Sequence, residues 1–133
     1  MRIMLVEDHE PTRTEMRGLI EHGFDMAVVE EAETGEDAVS KARKEKPDVI
    51  VMDILLPGMN GIEATRKILA EQPGIKVLAL SNHSGASLLQ SLFDAGGLGY
   101  VPKNRAFEEL IPALLSVAAG KQYVSRGSTD RKA

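Results

Sequence analysis

The chain has 133 residues, 43% of them hydrophobic, a formal net charge of -4 and no cysteine. That length suits one domain around one core, and the apolar content excludes global disorder. The absence of cysteine excludes a disulfide framework, a thiolate metal site and a cysteine nucleophile, while the negative charge argues against a nucleic-acid-binding main body.

Apolar runs of four or five residues alternate with amphipathic stretches of ten to fourteen. The pattern predicts strands near 2-7, 26-31, 48-53, 76-81 and 99-101, and helices near 11-22, 35-46, 61-71, 85-95 and 106-119. In the first helix Met16, Leu19, Ile20 and Gly23 share a face. Thr34-Gly35-Glu36-Asp37 opens the second helix with capping chemistry and early acids. Lys44 and Lys46 close it, and Pro47 blocks continuation. Asn60-Gly61 opens the third helix and Pro73-Gly74 ends it. Gly85, Gly96 and Gly97 around the fourth helix predict a loosely held, mobile element. The fifth helix places Phe107, Leu110, Ile111, Leu114, Leu115 and Ala118 on its apolar side; Pro112 inside it predicts a kink or a later start.

No apolar run approaches the ~20 residues that cross a bilayer. The N-terminus reaches Glu7 and Asp8 too soon for a signal peptide, so the reading is a cytoplasmic domain with no membrane contact. Residues 120-133 are expected to be a C-terminal tail or the start of a linker.

Five βα units in succession imply a doubly wound parallel sheet with right-handed crossovers. Glu7-Asp8, Asp53, Ser81 and Lys103 each follow an apolar run, so all emerge at the carboxyl edge of that sheet, where open α/β sheets build their ligand sites. Three converging carboxylates repel each other unless protons or a cation intervene. Mg²⁺ fits, because it takes oxygen ligands and is shared between carboxylates and phosphate. Asp53 ends the most apolar strand and is the better nucleophile, since carboxylates accept phosphoryl groups in covalent mechanisms. Other readings stand beside these. Glu7 and Asp8 could cap the first helix, Ser81 could cap the fourth, Lys103 could be a solvated surface residue, and Tyr100 could be a core ring. His9 and His22 suit surface or capping roles. Leu55 and His83 would flank the path of attacking water.

Taken jointly, these positions resemble the receiver domain of two-component response regulators over about residues 1-120. The residues that carry the resemblance are Glu7-Asp8, Asp53, Pro57-Gly58-Met59 with Gly61, Ser81, Gly99-Tyr100 and Lys103. Leu80-Ser81-Asn82-His83 and Gly120-Lys121-Gln122-Tyr123-Val124-Ser125 are similar to the subgroup whose receivers precede a helix-turn-helix DNA-binding domain. The resemblance implies a flavodoxin-like (βα)5 fold with strand order 2-1-3-4-5 and a receiver over residues 1-119. It implies that Asp53 accepts a phosphoryl group from the phosphohistidine of a sensor histidine kinase or phosphotransfer protein. Asp8 and Asp53 would bind Mg²⁺ directly, Glu7 through water, and the Leu55 backbone carbonyl would add a ligand. Ser81 and Lys103 would contact phosphoryl oxygens. Ser81 and Tyr100 would form the switch, remodelling the face of the fourth helix, fifth strand and fifth helix. A phosphorylation-promoted homodimer and transcriptional output through an absent DNA-binding domain follow. The alternative is a stand-alone receiver acting by protein contact, even without phosphorylation.

Two residues depart from the family pattern. Asn104 follows Lys103 where the family often has proline across a cis bond, and cis before a non-proline residue costs about 2.5–4 kcal/mol. Asn82 replaces a usual alanine and narrows the room beside Ser81. A flavodoxin-like cofactor binder would want a hydroxyl- and glycine-rich first loop, whereas Glu7-Asp8-His9-Glu10-Pro11 would repel a phosphate. An aspartyl phosphatase would carry its nucleophile after the first strand, with a second aspartate two residues on; position 10 is glutamate.

Overall fold

Apolar side chains alternate between the two faces of every central strand, and each face takes its own layer of helices. The computed structural model describes residues 1–82 and 85–125. The elements in chain order are β1 (Arg2–Val6), α1 (Glu10–Glu21), β2 (Ala27–Ala32), α2 (Gly35–Glu45), β3 (Val49–Met52) and α3 (Gly61–Glu71). There follow β4 (Lys76–Ser81), α4 (Ala86–Asp94), β5 (Gly99–Pro102), a 3-10 turn at Lys103–Arg105, α5 (Ala106–Ala118) and β6 (Tyr123–Val124). The sheet is parallel with strand order β2-β1-β3-β4-β5-β6. The expected order of the first five strands therefore holds, and a short sixth strand extends the β5 edge. His83 and residues 126–133 lie outside the described residues.

On one face Ile3, Leu5, Val49, Val51, Leu78 and Leu80 pack against Met16 and Ile20 of α1 and Leu110, Leu114 and Val117 of α5. On the other, Met4, Val6, Ile50, Met52 and Val77 pack against Ala38, Val39 and Ala42 of α2 and Ala64 and Ile68 of α3. Ala79 and Tyr100 continue that face under Leu89 and Leu92 of α4. The strand period of two sends neighbouring residues to opposite cores.

The caps follow the local chemistry. The Thr34 side chain accepts from the Asp37 N–H, and Asn60 accepts from the Glu63 N–H. His22 closes α1, its Nδ1 2.9 Å from the Gly18 carbonyl oxygen. Gly85 precedes α4 with no side-chain cap, and that nine-residue helix buries only Leu89 and Leu92.

In α5 the helix begins at Ala106 and runs through Pro112. Pro112 is exposed and has no N–H, so the carbonyl one turn earlier lacks its usual helical donor. The buried stripe is Ala106, Leu110, Ala113, Leu114 and Val117; Phe107 and Leu115 point outward instead. The helix is apolar around more than one stripe, and the sheet covers only the first.

β6 is fastened by a buried carboxylate. Glu109 accepts hydrogen bonds from the Tyr123 hydroxyl (2.7 Å), the Ser125 hydroxyl (2.9 Å) and the Arg105 guanidinium. The Ser125 N–H also donates to the Tyr100 carbonyl at 3.0 Å. The described chain thus stays with the sheet through Ser125.

Candidate functional site

Parallel strands end together, so the residues just past β1, β3, β4 and β5 meet. Glu7, Asp8, His9, Thr12, Asp53, Leu55, Ser81, Asn82 and Lys103 line one open cleft at this edge. Glu7 and Asp53 are buried at 2% and 5% exposure, whereas Asp8 is exposed. Carboxylate oxygens of Glu7, Asp8 and Asp53 all lie within 4.8 Å of one another. Lys103 Nζ reaches between two of them, 2.6 Å from Glu7 Oε1 and 3.0 Å from Asp53 Oδ2. The Leu55 N–H donates to Asp53 Oδ1 at 3.3 Å.

Loop backbone sets these positions. The Asp53 N–H donates to the Val6 carbonyl and the Glu7 N–H to the Ala32 carbonyl, each at 3.0 Å, which continues the sheet one residue past its strands. Glu7 Oε2 accepts the His9 N–H at 3.0 Å. Gly61 sits directly under the Asp53 carbonyl and donates its N–H to the Ile54 carbonyl at 2.7 Å.

Electrostatics follow from burial. Desolvation pushes the Asp53 carboxyl above its ordinary value, the Lys103 hydrogen bond opposes this, and the Glu7 charge adds to the rise. Burial would lower Lys103, but its bonds to Glu7 and Asp53 outweigh that and raise it. Lys103 therefore stays an ammonium. Three carboxylates meet here and the half-buried Lys103 ammonium pairs with two of them, so acids outnumber the cation in the cleft. Its donors are hard oxygens on a partly open surface, a set that suits Mg²⁺ rather than a softer metal.

The residues singled out by sequence fall where expected, with the alternatives narrowed. Ser81 is fully buried at the end of β4, and Gly85 rather than Ser81 precedes α4. Lys103 is not a solvated surface residue, its side chain being 15% exposed. Tyr100 is completely buried among Ile54, Ala79, Leu89 and Leu92, with the ring inward. Leu55 is exposed at the cleft rim, and Asn82 lines the cleft beside Ser81. His9 heads α1 without capping it through its side chain; its Nδ1 lies 2.6 Å from Thr12 Oγ1. Thr12 was not singled out from sequence, although its place one turn past Asp8 could have marked it. The Lys103–Asn104 bond is trans, as are the other described peptide bonds.

Comparison with known proteins agrees with this geometry. Residues 3–115 match the response regulator receiver domain family. The chain is 38% identical over 125 residues to response regulator GacA of Pseudomonas aeruginosa, covering 94% of this chain and 58% of that protein. It is equally identical to response regulator UvrY of Escherichia coli, covering 94% and 57%. It therefore spans somewhat over half the length of these relatives. A crystal structure of a LuxR-family two-component response regulator from Aurantimonas superposes with a TM-score of 0.92 at 40% identity, over 95% of this chain and 90% of that one. By matched length, sequence and fold, the chain belongs to the response regulator receiver domain family.

Proposed function

We propose that this receiver is a phosphorylation-driven switch in which Asp53 is the phosphoacceptor. The observation that carries the reading is the central array: a nearly buried Asp53 bonded to the Lys103 ammonium, with two further carboxylates within metal-bridging distance. An Asp53 oxygen attacks the phosphorus of a phosphohistidine on a sensor kinase or phosphotransfer protein. The P–N bond breaks as the P–O bond forms, and the imidazole leaves neutral because its other nitrogen already carries a proton. Asp8, Asp53 and the Leu55 carbonyl would hold Mg²⁺, with Glu7 acting through water. When bound, the ion offsets charge on the transferred group. Lys103 then exchanges part of its hold on Asp53 for a phosphoryl oxygen, and the Ser81 hydroxyl donates to another. The protein is a switch that assists its own phosphorylation and dephosphorylation, working in the cytoplasm.

Phosphorylation biases Ser81 and Tyr100 toward one arrangement of the α4-β5-α5 face, a population shift that needs better contacts in the active state. The face promotes homodimerisation. Residues 1–119 carry the switch, and the chain beyond leads toward a DNA-binding output domain in the whole protein. The greater length of the GacA and UvrY relatives supports a further domain, and a LuxR-family neighbour from Staphylococcus aureus that is itself named a DNA-binding response regulator supports that output.

The test is intact mass after incubation with acetyl phosphate, with and without Mg²⁺, for the native chain and Asp53→Asn. One Mg²⁺-dependent phosphoryl adduct, absent from the variant, is expected. No adduct on the native chain, or the same adduct on Asp53→Asn, would overturn the assignment.

A further inference from the structure

Arg13 links the loop that presents the cleft acids to the charged surface between α1, β2 and α2. It lies one turn into α1, and its own N–H donates to the His9 carbonyl at 2.9 Å. Helical side chains lean toward the helix N-terminus, so the guanidinium reaches back over the loop that follows β1. There all three nitrogens find oxygen. Nη1 donates to the Glu7 backbone carbonyl at 2.8 Å, Nε to Glu31 Oε1 at 2.9 Å, and Nη2 lies 3.5 Å from Glu33 Oε2. The side chain is 12% exposed. Glu31 is itself braced by the Arg17 guanidinium, and its carbonyl accepts from Lys41 Nζ at 2.7 Å.

We infer that Arg13 is a positioning residue for the metal-binding acids. The inference rests on the Mg²⁺ reading of the cleft given above. The peptide plane supplies the reason. The Glu7 carbonyl, the Asp8 nitrogen and the Asp8 Cα are coplanar, so holding that carbonyl fixes where Asp8 begins. On the other side the Glu7 N–H is held by the Ala32 carbonyl. Glu7 is thus clamped at both its backbone groups, and Arg13 supplies the clamp nearer Asp8. Asp8 is exposed and hangs from that plane, so its approach to Asp53 depends on it. Lysine cannot replace this, because a single ammonium lacks the planar fork that spans Glu7 and Glu31 together.

Charge and position make opposite predictions. A guanidinium bonded to the Glu7 carbonyl beside the cleft repels a divalent cation there, so its removal would tighten Mg²⁺ binding if charge were its whole role. Loss of positioning weakens binding instead, and removing partners that orient ligands typically costs 10–100-fold in metal affinity.

The experiment is Mg²⁺ titration of the 133-residue chain followed by NMR amide shifts, for native protein, Arg13→Gln, Arg13→Lys and Arg17→Gln, with thermal unfolding in EDTA alongside. Arg17→Gln is the control, since it weakens the bracing of Glu31 but leaves the Glu7 carbonyl bonded. Arg13→Gln and Arg13→Lys are expected to raise the Mg²⁺ dissociation constant about 10-fold, with Arg17→Gln near native. Should Arg13→Gln fail to fold, Arg13→Lys carries the same comparison. Unchanged or tighter Mg²⁺ binding in both Arg13 variants, or an equal loss in Arg17→Gln, would overturn the inference while leaving the metal site standing. Absence of saturable Mg²⁺ binding in the native chain would overturn the metal reading and this inference with it.

Discussion

Replacing Gly61 by alanine tests how tightly the loop that follows Asp53, the proposed phosphoacceptor, is built. A Cβ placed on Gly61 would lie 2.1 Å from the Asp53 carbonyl oxygen, 2.8 Å from Ile54 Cα and 2.9 Å from Asp53 C. All three are backbone atoms, so no side-chain rotation relieves the clash. To reach 3.0 Å, the closest contact real Cβ atoms tolerate, the carbonyl must retreat about 0.9 Å from its 2.1 Å position. That carbonyl belongs to the residue whose side chain meets Lys103. Overpacking of this kind costs about 1–3 kcal/mol, and a rigid backbone target puts Gly61→Ala at the upper end. At roughly 2.1 cal/mol/K of unfolding entropy per residue, about 3 kcal/mol lowers Tm by around 10 °C. A displacement near 1 Å at a reacting group costs on the order of 100-fold in rate. Urea unfolding and the rate of acetyl phosphate labelling are the assays.

Gly18→Ala is the matched control. Gly18 sits mid-helix in α1, and a Cβ there meets nothing within 4 Å. The same added methyl should stabilise by about 0.5–1 kcal/mol through helix propensity and leave labelling unchanged. The reasoning fails if Gly61→Ala unfolds within about 0.5 kcal/mol of the native chain, against the 1–3 kcal/mol of overpacking, and labels at the native rate.

Lys103→Met leaves the buried Glu7 and Asp53 carboxylates without their shared cation, and should cost about 3 kcal/mol at neutral pH. Burial and the Glu7 charge already push the Asp53 carboxyl up against the opposing Lys103 bond, so in the variant it is protonated more readily folded than unfolded, and the deficit shrinks as pH falls and as Mg²⁺ is added; a deficit indifferent to both would contradict the charge argument. Glu109→Gln should lose about 2 kcal/mol by weakening charge-assisted bonds from Arg105, Tyr123 and Ser125. Burial alone would raise the Glu109 carboxyl, but the bonds from Arg105, Tyr123 and Ser125 hold it below its ordinary 4.5. Its stabilisation is therefore fully present above that value and fades as pH drops through the lower folded one, so the gap between variant and native should be flat from pH 8 to 5 and close only in acid. A gap that closes near neutrality would assign the effect elsewhere. The Tyr123 phenol, half-buried and hydrogen-bonded to Glu109 and so pushed up to about 12, should in turn resist ionisation in an alkaline absorbance titration.

How much of this was legible in the sequence depended on whether a residue's role is set locally. Thr34 and Asn60 cap their helices because a side-chain oxygen needs only a backbone N–H three residues ahead. The cleft acids, Ser81 and Lys103 were legible for a related reason: parallel strands put every carboxyl end at one edge, so strand placement alone brings together residues as far apart in the chain as Glu7 and Lys103. β6 was not legible. Tyr123 and Val124 are only two residues beside polar Lys121 and Gln122, too short for a periodic signal. Glu109 carried no mark of burial either. It is one glutamate in an apolar helix, and its partners arrive 14 and 16 residues later, once the chain doubles back along β5. Arg13 was hidden likewise, since its target is a backbone carbonyl, which every residue possesses. The two networks nonetheless sit at opposite ends of one path. Arg13 fixes the loop that presents the acids, and Glu109 fixes the strand that pairs with Tyr100. The sheet between them is close-packed, and such cores shift between discrete arrangements rather than deforming smoothly. Any shift of the β5 backbone at Tyr100 must therefore either carry β6 along or break its bond from the Ser125 N–H to the Tyr100 carbonyl, whereas a turn of the Tyr100 ring alone leaves both in place.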